Sequence, residues 1–311
     1  MMETTPVLNR GQMWCEWPTW GLIAAVTLSW GLITAFADMI GIGWSILLLV
    51  PLITLHSSLQ HETVHILEPR WPLLARLAVF PAMGLFVPYM RFRDLHLAHH
   101  DNEMLTDPYD DPETFYLEPS EWDKHSWTTK SILEFNNTLL GRLIVGPIVG
   151  QFFFMSSDLT AYRDGDRGVA RAWLWHIPAV AVVIAWLALI GTMPFWAYML
   201  AAYAGLSVLK IRTFLEHQAH EDSNHRSVIV EKGGIFGLLF LNNNLHHAHH
   251  AHPQVAWYAL PRLFKEQKDK FLTANGGYKY GSYWDVFRNY FFRSKEPVPH
   301  PIWSRENRTK L

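Results

Sequence analysis

Four stretches of the chain are apolar enough, and long enough, to cross a lipid bilayer as helices. A span takes about 20 mostly apolar residues, and the four stretches cover residues 20–37, 40–59, 172–190 and 195–209. Two short turns, Asp38-Met-Ile-Gly41 and Gly191-Thr-Met-Pro194, divide the stretches into pairs. The pattern therefore predicts two transmembrane helical hairpins.

Two further apolar runs lie between the hairpins. The run 73–90 contains Pro81 and Pro88, and the run 139–155 contains Pro147. Proline interrupts a helix, and basic residues accompany both runs, as is typical of segments that lie in the membrane interface. We expect helices that lie at the interface or cover a pocket, rather than two more spans.

The basic residues predict the orientation. None of the four spans or their turns contains Lys or Arg, so all 26 basic residues lie before, between or after the hairpins. An even number of spans puts these regions on one side, which the positive-inside rule makes cytoplasmic. We therefore expect an all-α integral membrane protein, a single domain over residues 1–311. Its cytosolic helical cap comprises residues 60–171 and 210–311, and in a bacterium it would lie in the inner (plasma) membrane.

Composition agrees with a membrane protein and restricts its chemistry. Only 17% of the residues are charged, against about a quarter in a typical soluble domain. The net charge of −2 gives no indication of a nucleic-acid partner. The single cysteine excludes a CxxC pair and a four-thiolate iron–sulfur cluster, so metal chemistry would depend on histidine.

Nine of the 17 histidines stand at ligand spacings in four clusters, all on the predicted cytoplasmic side. His247, a tenth, lies within the last cluster. Spacings of three and four residues put imidazoles on one face of a helix. We expect each HxxHH triplet to present three imidazoles to a single metal ion. Nine nitrogen ligands suffice for two ions of coordination number five or six. The clusters read His61-Glu-Thr-Val-His65, His96-Leu-Ala-His99-His100, Glu216-His217 and His246-His247-Ala-His249-His250.

Other classes of protein fit the clusters less well. His61 to His65 matches the HExxH motif of zinc proteases, with Glu62 as general base, but that interpretation leaves the other clusters unexplained. A metal transporter would place ionisable residues along its spans, and these spans have almost none. An interaction protein without catalytic activity would usually have lost at least one histidine of these clusters. An iron centre can activate O₂ to attack an unactivated C–H bond. Such a centre would explain why the site lies beside an apolar region large enough for a lipid.

The four boxes, between and after two hairpins, resemble the membrane fatty acid desaturase/hydroxylase superfamily over roughly residues 20–265. The resemblance implies a non-haem centre of two iron ions on the cytosolic face, with O₂ as co-substrate, that oxidises a long lipid acyl chain. Desaturation is favoured; the alternatives are hydroxylation or ketone formation on an alkyl, sterol-like or carotenoid lipid. The implied iron ligands are His61, His65, His96, His99, His100, His217, His246, His249 and His250.

The third box resembles the EH-containing box of bacterial alkane hydroxylases more than the NxxxH box of acyl-CoA desaturases. Thr213 stands four residues before His217, where the second pattern has Asn. Electrons must come from outside, because the chain has no HPGG haem-binding segment, no GxGxxG and no cysteine cluster. A ferredoxin or a cytochrome with its reductase is the implied partner.

Several residues beside the boxes are candidates for supporting roles. Ligand imidazoles are usually oriented by hydrogen bonds from neighbouring groups. The candidates for this role, each of which also has a plain surface or packing interpretation, are Glu62, Glu216, His220, His247 and Asp107. His56, within the second span, is interpreted as a packed polar residue or as an alternative partner of His61. Basic residues are expected at a cytoplasmic interface, but three could also hold an anionic head group: Arg91, Arg93 and Arg212.

Overall fold

The computed structural model of the chain describes residues 15–101 and 105–303, so parts of the predicted domain 1–311 lie outside the described residues. The described chain is mostly helical. The α-helices are, in order, α1 (Trp17–Ala35), α2 (Ala37–Ile40), α3 (Ile42–Glu62), α4 (Pro72–Ala78), α5 (Tyr89–Asp101), α6 (Pro119–Lys124), α7 (Trp127–Asn136), α8 (Leu139–Ile144), α9 (Gly146–Arg163), α10 (Arg167–Leu189), α11 (Phe195–Thr213), α12 (Gly234–Leu239), α13 (His246–Ala251), α14 (Leu260–Glu266), α15 (Lys268–Ala274) and α16 (Tyr283–Tyr290). Strands β1 (Ile229–Lys232) and β2 (Lys279–Ser282) pair in parallel.

Three described helices are long and apolar enough to cross a membrane. They are α1, α10, and α3 together with the π-helix that continues it, Ile42–Leu67. The fourth predicted span, 195–209, lies within α11, which is a helix but is not among these three. The last turn of α11 contains Lys210 and Arg212, and these two charged residues lower the mean hydropathy of the helix.

Helix α11 packs closely against α3 because Gly205 has no side chain. A Cβ atom at this position would lie 2.9 Å from Cγ2 of Ile53. The Thr54 hydroxyl donates a hydrogen bond to the carbonyl oxygen of Gly205 at 3.0 Å. Small residues allow helix backbones to approach in this way. The close contact fixes α3 and α11 beside each other.

The turns of the two helix pairs contact each other. The Thr192 backbone N–H donates to the carbonyl oxygen of Thr34 at 3.0 Å, and its hydroxyl donates to Oδ1 of Asp38 at 2.9 Å. The indole N–H of Trp186 also reaches the Thr34 hydroxyl at 2.9 Å. Both turns therefore lie at one end of the bundle. The C-terminal ends of α3 and α11, which lead into histidine clusters, lie together at the other end.

The apolar run 73–90 does not form a helix of membrane length. Helix α4 ends before Pro81, and the irregular segment 79–88 packs among the long helices. The Tyr198 hydroxyl donates to the carbonyl oxygen of Met83 at 2.8 Å. Nε2 of His176 lies 2.8 Å from the carbonyl oxygen of Leu85. Irregular backbone away from water needs such protein partners. The expectation of a helix at the interface is therefore wrong for the centre of this run.

The second apolar run is divided as its proline predicts. Pro147 is at the start of α9, where proline is tolerated, and α8 ends just before it. Ile148 and Phe152 of α9 are exposed. Asp158, on the same helix, is buried and pairs with Arg91 at 2.6 Å. An apolar exposed side and a polar buried side are typical of a helix at a membrane interface.

The C-terminal region packs the last histidine box against the strands. Ile229 of β1 is fully buried in an apolar cluster with Leu245, Ala248 and Leu260. The backbone N–H of His247 donates to the carbonyl oxygen of Val228, next to the strand, at 3.0 Å. This contact fixes the rotation of α13.

We predict that Gly205→Leu lowers the stability of the protein by about 1–3 kcal/mol, because the added side chain must push α11 away from Ile53. The measurement is thermal unfolding of the detergent-solubilised protein. Gly21→Leu is the matched control, since nothing lies within 4 Å of a Cβ atom there. Equal unfolding temperatures for the two variants would contradict the close packing of α3 and α11.

Candidate metal centre

All nine predicted histidine ligands lie together, in two adjacent groups. Within each group, the nitrogen atoms that face one another are all within 4.8 Å. The first group has five members and the second has four: His61, His65, His96, His100 and His249, and His99, His217, His246 and His250. The arrangement brings together side chains from α3, α5, the segment after α11, and α13.

The two HxxHH triplets are each divided between the groups, so the expectation of one metal ion per triplet is wrong. His96 and His100 belong to the first group, whereas His99 belongs to the second. A residue turns about 100° around a helix axis. Side chains four apart therefore diverge by about 40°, while adjacent ones, such as His99 and His100, diverge by about 100°. The last box is divided in the opposite sense: His246 and His250 face the second group, and His249 faces the first.

The imidazoles converge through their Nε2 atoms. Within the groups, five Nε2–Nε2 pairs lie 2.9–3.2 Å apart, for example His96 with His65 and His99 with His217. Nε2 of His61 is buried without a hydrogen-bond partner. Two nitrogens about 2.1 Å from one ion and at right angles to each other would lie about 3.0 Å apart. The donor set therefore fits metal ions.

The opposite ring nitrogens are held by acceptors. Nδ1 of His96 donates to the Glu113 carboxylate at 2.9 Å, and Nδ1 of His99 donates to Asp111 at 2.8 Å. Nδ1 of His246 lies 3.1 Å from the side-chain oxygen of Asn243. A proton on Nδ1 leaves the lone pair on Nε2. Lone pairs of neighbouring rings that face each other at 3 Å repel unless a proton or a metal ion lies between them, and acceptors on Nδ1 are typical of metal-bound histidine.

Glu216 connects the second group to Arg212. Its carboxylate lies 3.5 Å from Nδ1 of His246 and 2.8 Å from Nε of Arg212. The side-chain amide of Asn243 donates to the same carboxylate oxygen at 3.1 Å. Glu216, predicted as an orienting residue, therefore lies beside a ligand imidazole and also balances a buried guanidinium.

Burial keeps most of the site histidines that lie outside the membrane-spanning helices neutral. It lowers the pKa of His217 to about 3, helped by the nearby charge of His99. The pKa values of His246, His249 and His250 are also lowered well below the usual value, first by burial and then by neighbouring histidines. Neutral imidazole is the form that binds a metal ion.

His99 differs because carboxylates surround it. Burial lowers its pKa, but Glu113 and the hydrogen bond to Asp111 outweigh burial and raise the value to about 9. Burial in turn raises the pKa of Asp111, and His99 more than reverses that effect. Asp111, whose side chain is 1% exposed, therefore stays an anionic acceptor beneath this ring.

The other predicted orienting residues do not contact the nine imidazoles through any hydrogen bond or ion pair between described residues. Glu62 accepts a hydrogen bond from the backbone N–H of Trp257 at 3.1 Å. Nδ1 of His220 accepts from the backbone of Asp222. The ring of His247 lies against Phe271. Asp107 accepts from the backbone N–H two residues later, as expected of a turn.

The sequence interpretation missed Asp111, Glu113 and Asn243. The first two lie in a short acidic segment with prolines, Asp110-Asp-Pro-Glu113, a dozen residues after the second box. The cluster of acidic residues, in a chain with few charged residues, was the sequence signal that could have identified Asp111 and Glu113. Asn243 stands three residues before His246, one helical turn away, which was also visible.

Local structure positions the boxes on rigid elements. Helix α3 widens into a π-helix over Thr63–Leu67, which contains His65, and such segments are frequent at functional sites. Helix α5 is anchored at its start, where Arg93 and Tyr89 bind the carboxylate of Glu68 at 2.8 and 2.6 Å. His56 is buried in α3 and is in neither group.

All three arginines considered for an anionic head group already have acidic partners. Arg91 pairs with Asp158 at 2.6 Å, and Arg93 pairs with Glu68 and Asp94. Arg212 pairs with Glu216, but its Nη1 is buried without a hydrogen-bond partner.

Comparison with known proteins agrees with this geometry. The family model described as fatty acid desaturase matches residues 38–282, which include all four histidine clusters. No curated protein matches the chain. Since the family match covers most of the chain, the protein belongs to the fatty acid desaturase family.

Proposed function

We propose that this protein is an integral membrane desaturase that uses two iron ions and O₂ to oxidise a long acyl chain at unactivated C–H positions. The observation that carries the proposal is the convergence of nine imidazoles in two adjacent groups, in a chain of the fatty acid desaturase family. Family membership makes the protein an oxidoreductase that acts on lipid and associates with a membrane. Together with the histidine groups, it indicates iron binding.

In this proposal each histidine group holds one iron ion. Bound there, the two ions would supply the activation of O₂ and the removal of hydrogen from carbon. Asp111, Glu113 and Asn243 keep three of the rings in place by holding their Nδ1 protons. His96, His99 and His246 are each at most 2% exposed, so the protein excludes bulk water from this part of the site.

The reaction requires electrons as well as O₂. Forming one double bond removes two hydrogens from the chain; with O₂, two electrons and two protons, it yields two waters. The electrons come from a ferredoxin or a cytochrome with its reductase, as the absence of redox motifs from the sequence predicts. Hydroxylation uses the same inputs and releases one water, so the two reactions are distinguished by their products.

Hydroxylation is the second candidate. The third box has the EH form, and Thr213 stands where acyl-CoA desaturases have Asn. The hydroxyl of Thr213 is buried without a hydrogen-bond partner. At this position the asparagine of the desaturase pattern is therefore replaced by Thr213, whose side chain is shorter.

Zinc-dependent proteolysis is disfavoured by Glu62. In HExxH enzymes the glutamate is the general base for a metal-bound water. Here its carboxylate accepts a hydrogen bond from the Trp257 backbone. A single zinc ion would also leave the second histidine group without a role.

The proposed topology has four spans, with α11 as the fourth, and the histidine groups on the cytoplasmic face. Its support is the contact between the two hairpin turns at the end opposite the histidines. The exclusion of Lys and Arg from those turns agrees with this orientation.

The first functional prediction concerns the ligands. His99→Ala and His217→Ala should abolish lipid oxidation and lower iron from about two ions per chain, because each removes a nitrogen from the second group. Asp111→Asn should weaken iron binding or activity about 10–100-fold. Iron is measured by elemental analysis of purified protein. His125→Ala, outside both groups, should change neither quantity; full iron content and activity in His99→Ala would refute the assignment.

The second concerns topology. Reporters inserted near Glu118 or fused after Leu311 should report cytoplasm, and one near Thr192 should report the opposite side, since basic residues favour the cytoplasm. The measurement is a pair of reporters that are active on opposite sides. An external signal at Glu118 would mean that the segment before it crosses the membrane.

The third concerns the chemistry. Purified protein should convert a lipid only when iron, O₂ and a reductase chain are all present, with about one O₂ consumed per product. Product analysis separates alkene from alcohol. Anaerobic, zinc-dependent peptide cleavage that disappears in Glu62→Gln would instead establish a protease.

A further inference from the structure

Arg142 of α8 and Lys210 of α11 are neighbouring cations without acidic partners. Arg142 is 7% exposed, and its Nε donates to the backbone carbonyl of Asn136 at 3.0 Å. Lys210 donates no hydrogen bond to any residue that the structure describes. The two charges repel each other and both lose hydration. Arg142 lies over the rings of Phe115 and Phe214, and Lys210 is partly buried. Placing like charges together where they are poorly hydrated costs free energy unless an anion accompanies them.

Two glycines of helix α9 let these two cations pack closely against its backbone. Gly146 and Gly150 are one turn apart and face them. A Cβ atom would lie 3.1 Å from Cδ of Arg142 at the first position and 3.0 Å from Nζ of Lys210 at the second. The side-chain oxygen of Asn136 is buried there without a hydrogen-bond partner. The site therefore has two charged donors beside a helix face without side chains.

The carboxylates nearest to this site are already occupied. Glu113 and Glu216 interact electrostatically with Lys210, but neither forms an ion pair with it among the described residues. Glu113 accepts from His96 at 2.9 Å, and Glu216 balances Arg212 at 2.8 Å. No described carboxylate forms an ion pair with Arg142 or Lys210, so these two cations can bind an anionic group from outside the chain.

We propose that Arg142 and Lys210 form a binding site for the anionic group of the lipid substrate, a carboxylate or a phosphate. Guanidinium and ammonium groups bind both through charge-assisted hydrogen bonds. The site adjoins the metal centre, because Glu113 interacts with Lys210 and hydrogen-bonds His96.

This inference rests on the proposed function and narrows its substrate class. The substrate is an amphiphile with a charged head, such as a fatty acid or a phospholipid, rather than an alkane or a carotenoid. Because no oxidation step is involved in binding, the site can be tested without iron, O₂ or a reductase.

The test measures binding to the full-length protein in an uncharged detergent, at a pH where the carboxyl group is ionised. The probes are dibromostearate, dibromostearyl alcohol and a dibrominated phosphatidylglycerol, each detected by quenching of tryptophan fluorescence. Wild-type protein should bind the acid or the phospholipid about tenfold or more tightly than the alcohol. Preference for the acid identifies a free carboxylate as the ligand, and preference for the phospholipid identifies a phosphate.

Three variants test the residues. Lys210→Met should remove most of the preference for the anionic probe, and Lys210→Arg should retain it. Asn136→Asp, which has nearly the same shape, supplies an internal carboxylate beside Arg142 and should also weaken anion binding. Lys124→Met is the control, because this exposed lysine pairs with Glu121 on the surface. Unfolding temperatures identify any variant that fails to fold. The anion preference is then judged from the variants that do fold.

The outcomes separate this site from the proposed function. Equal affinity of the wild type for the acid, the alcohol and the phospholipid would overturn the anion site and leave lipid oxidation intact. An anion preference that survives in both Lys210→Met and Asn136→Asp would also overturn it. Failure of the wild type to bind any of the three probes would count against the proposed function itself.

Discussion

The convergence of nine imidazole rings, most of them buried, is the constraint on which this structure depends. Five pairs of Nε2 atoms approach to 2.9–3.2 Å, a separation at which lone pairs repel unless a cation lies between them. Burial keeps rings such as His217 neutral and therefore able to bind a metal ion. A metal ion bound in each group would supply attraction between four chain segments, so that folding and metal binding would be coupled.

The helical bundle supplies the rigid frame for this convergence. Gly205 lets α11 lie directly against α3, and contacts such as Thr192 with Asp38 hold the two turns together at the far end. Those two restraints fix the ends from which His61 and His217 project. The acidic loop after α5 then completes the site, because Asp111 and Glu113 determine which nitrogen of His99 and His96 carries the proton.

Charge balance explains the polar groups around the metal centre. Glu216 neutralises Arg212, and Asp111 and Glu113 accompany His99 and His96. Arg142 and Lys210 have no such partner among the described residues, although they lie in the same densely packed region. A substrate with an anionic head would complete the balance only when bound. The site would in this way favour binding of the molecule that the metal centre is proposed to oxidise.

The sequence by itself determined the helical class, three of the helices able to span a membrane, and the nine histidines that converge. Hydropathy and helical spacing are local properties, so they can be read from neighbouring residues. Only the tertiary structure decided that His99 faces a different group from His96 and His100, and that Asp111 rather than Asp107 supports the site. It also decided that residues 79–88 pack among the long helices, and that Arg142 and Lys210 meet. Each of these depends on the rotation and contact of elements far apart in the chain, which packing fixes and local pattern does not record.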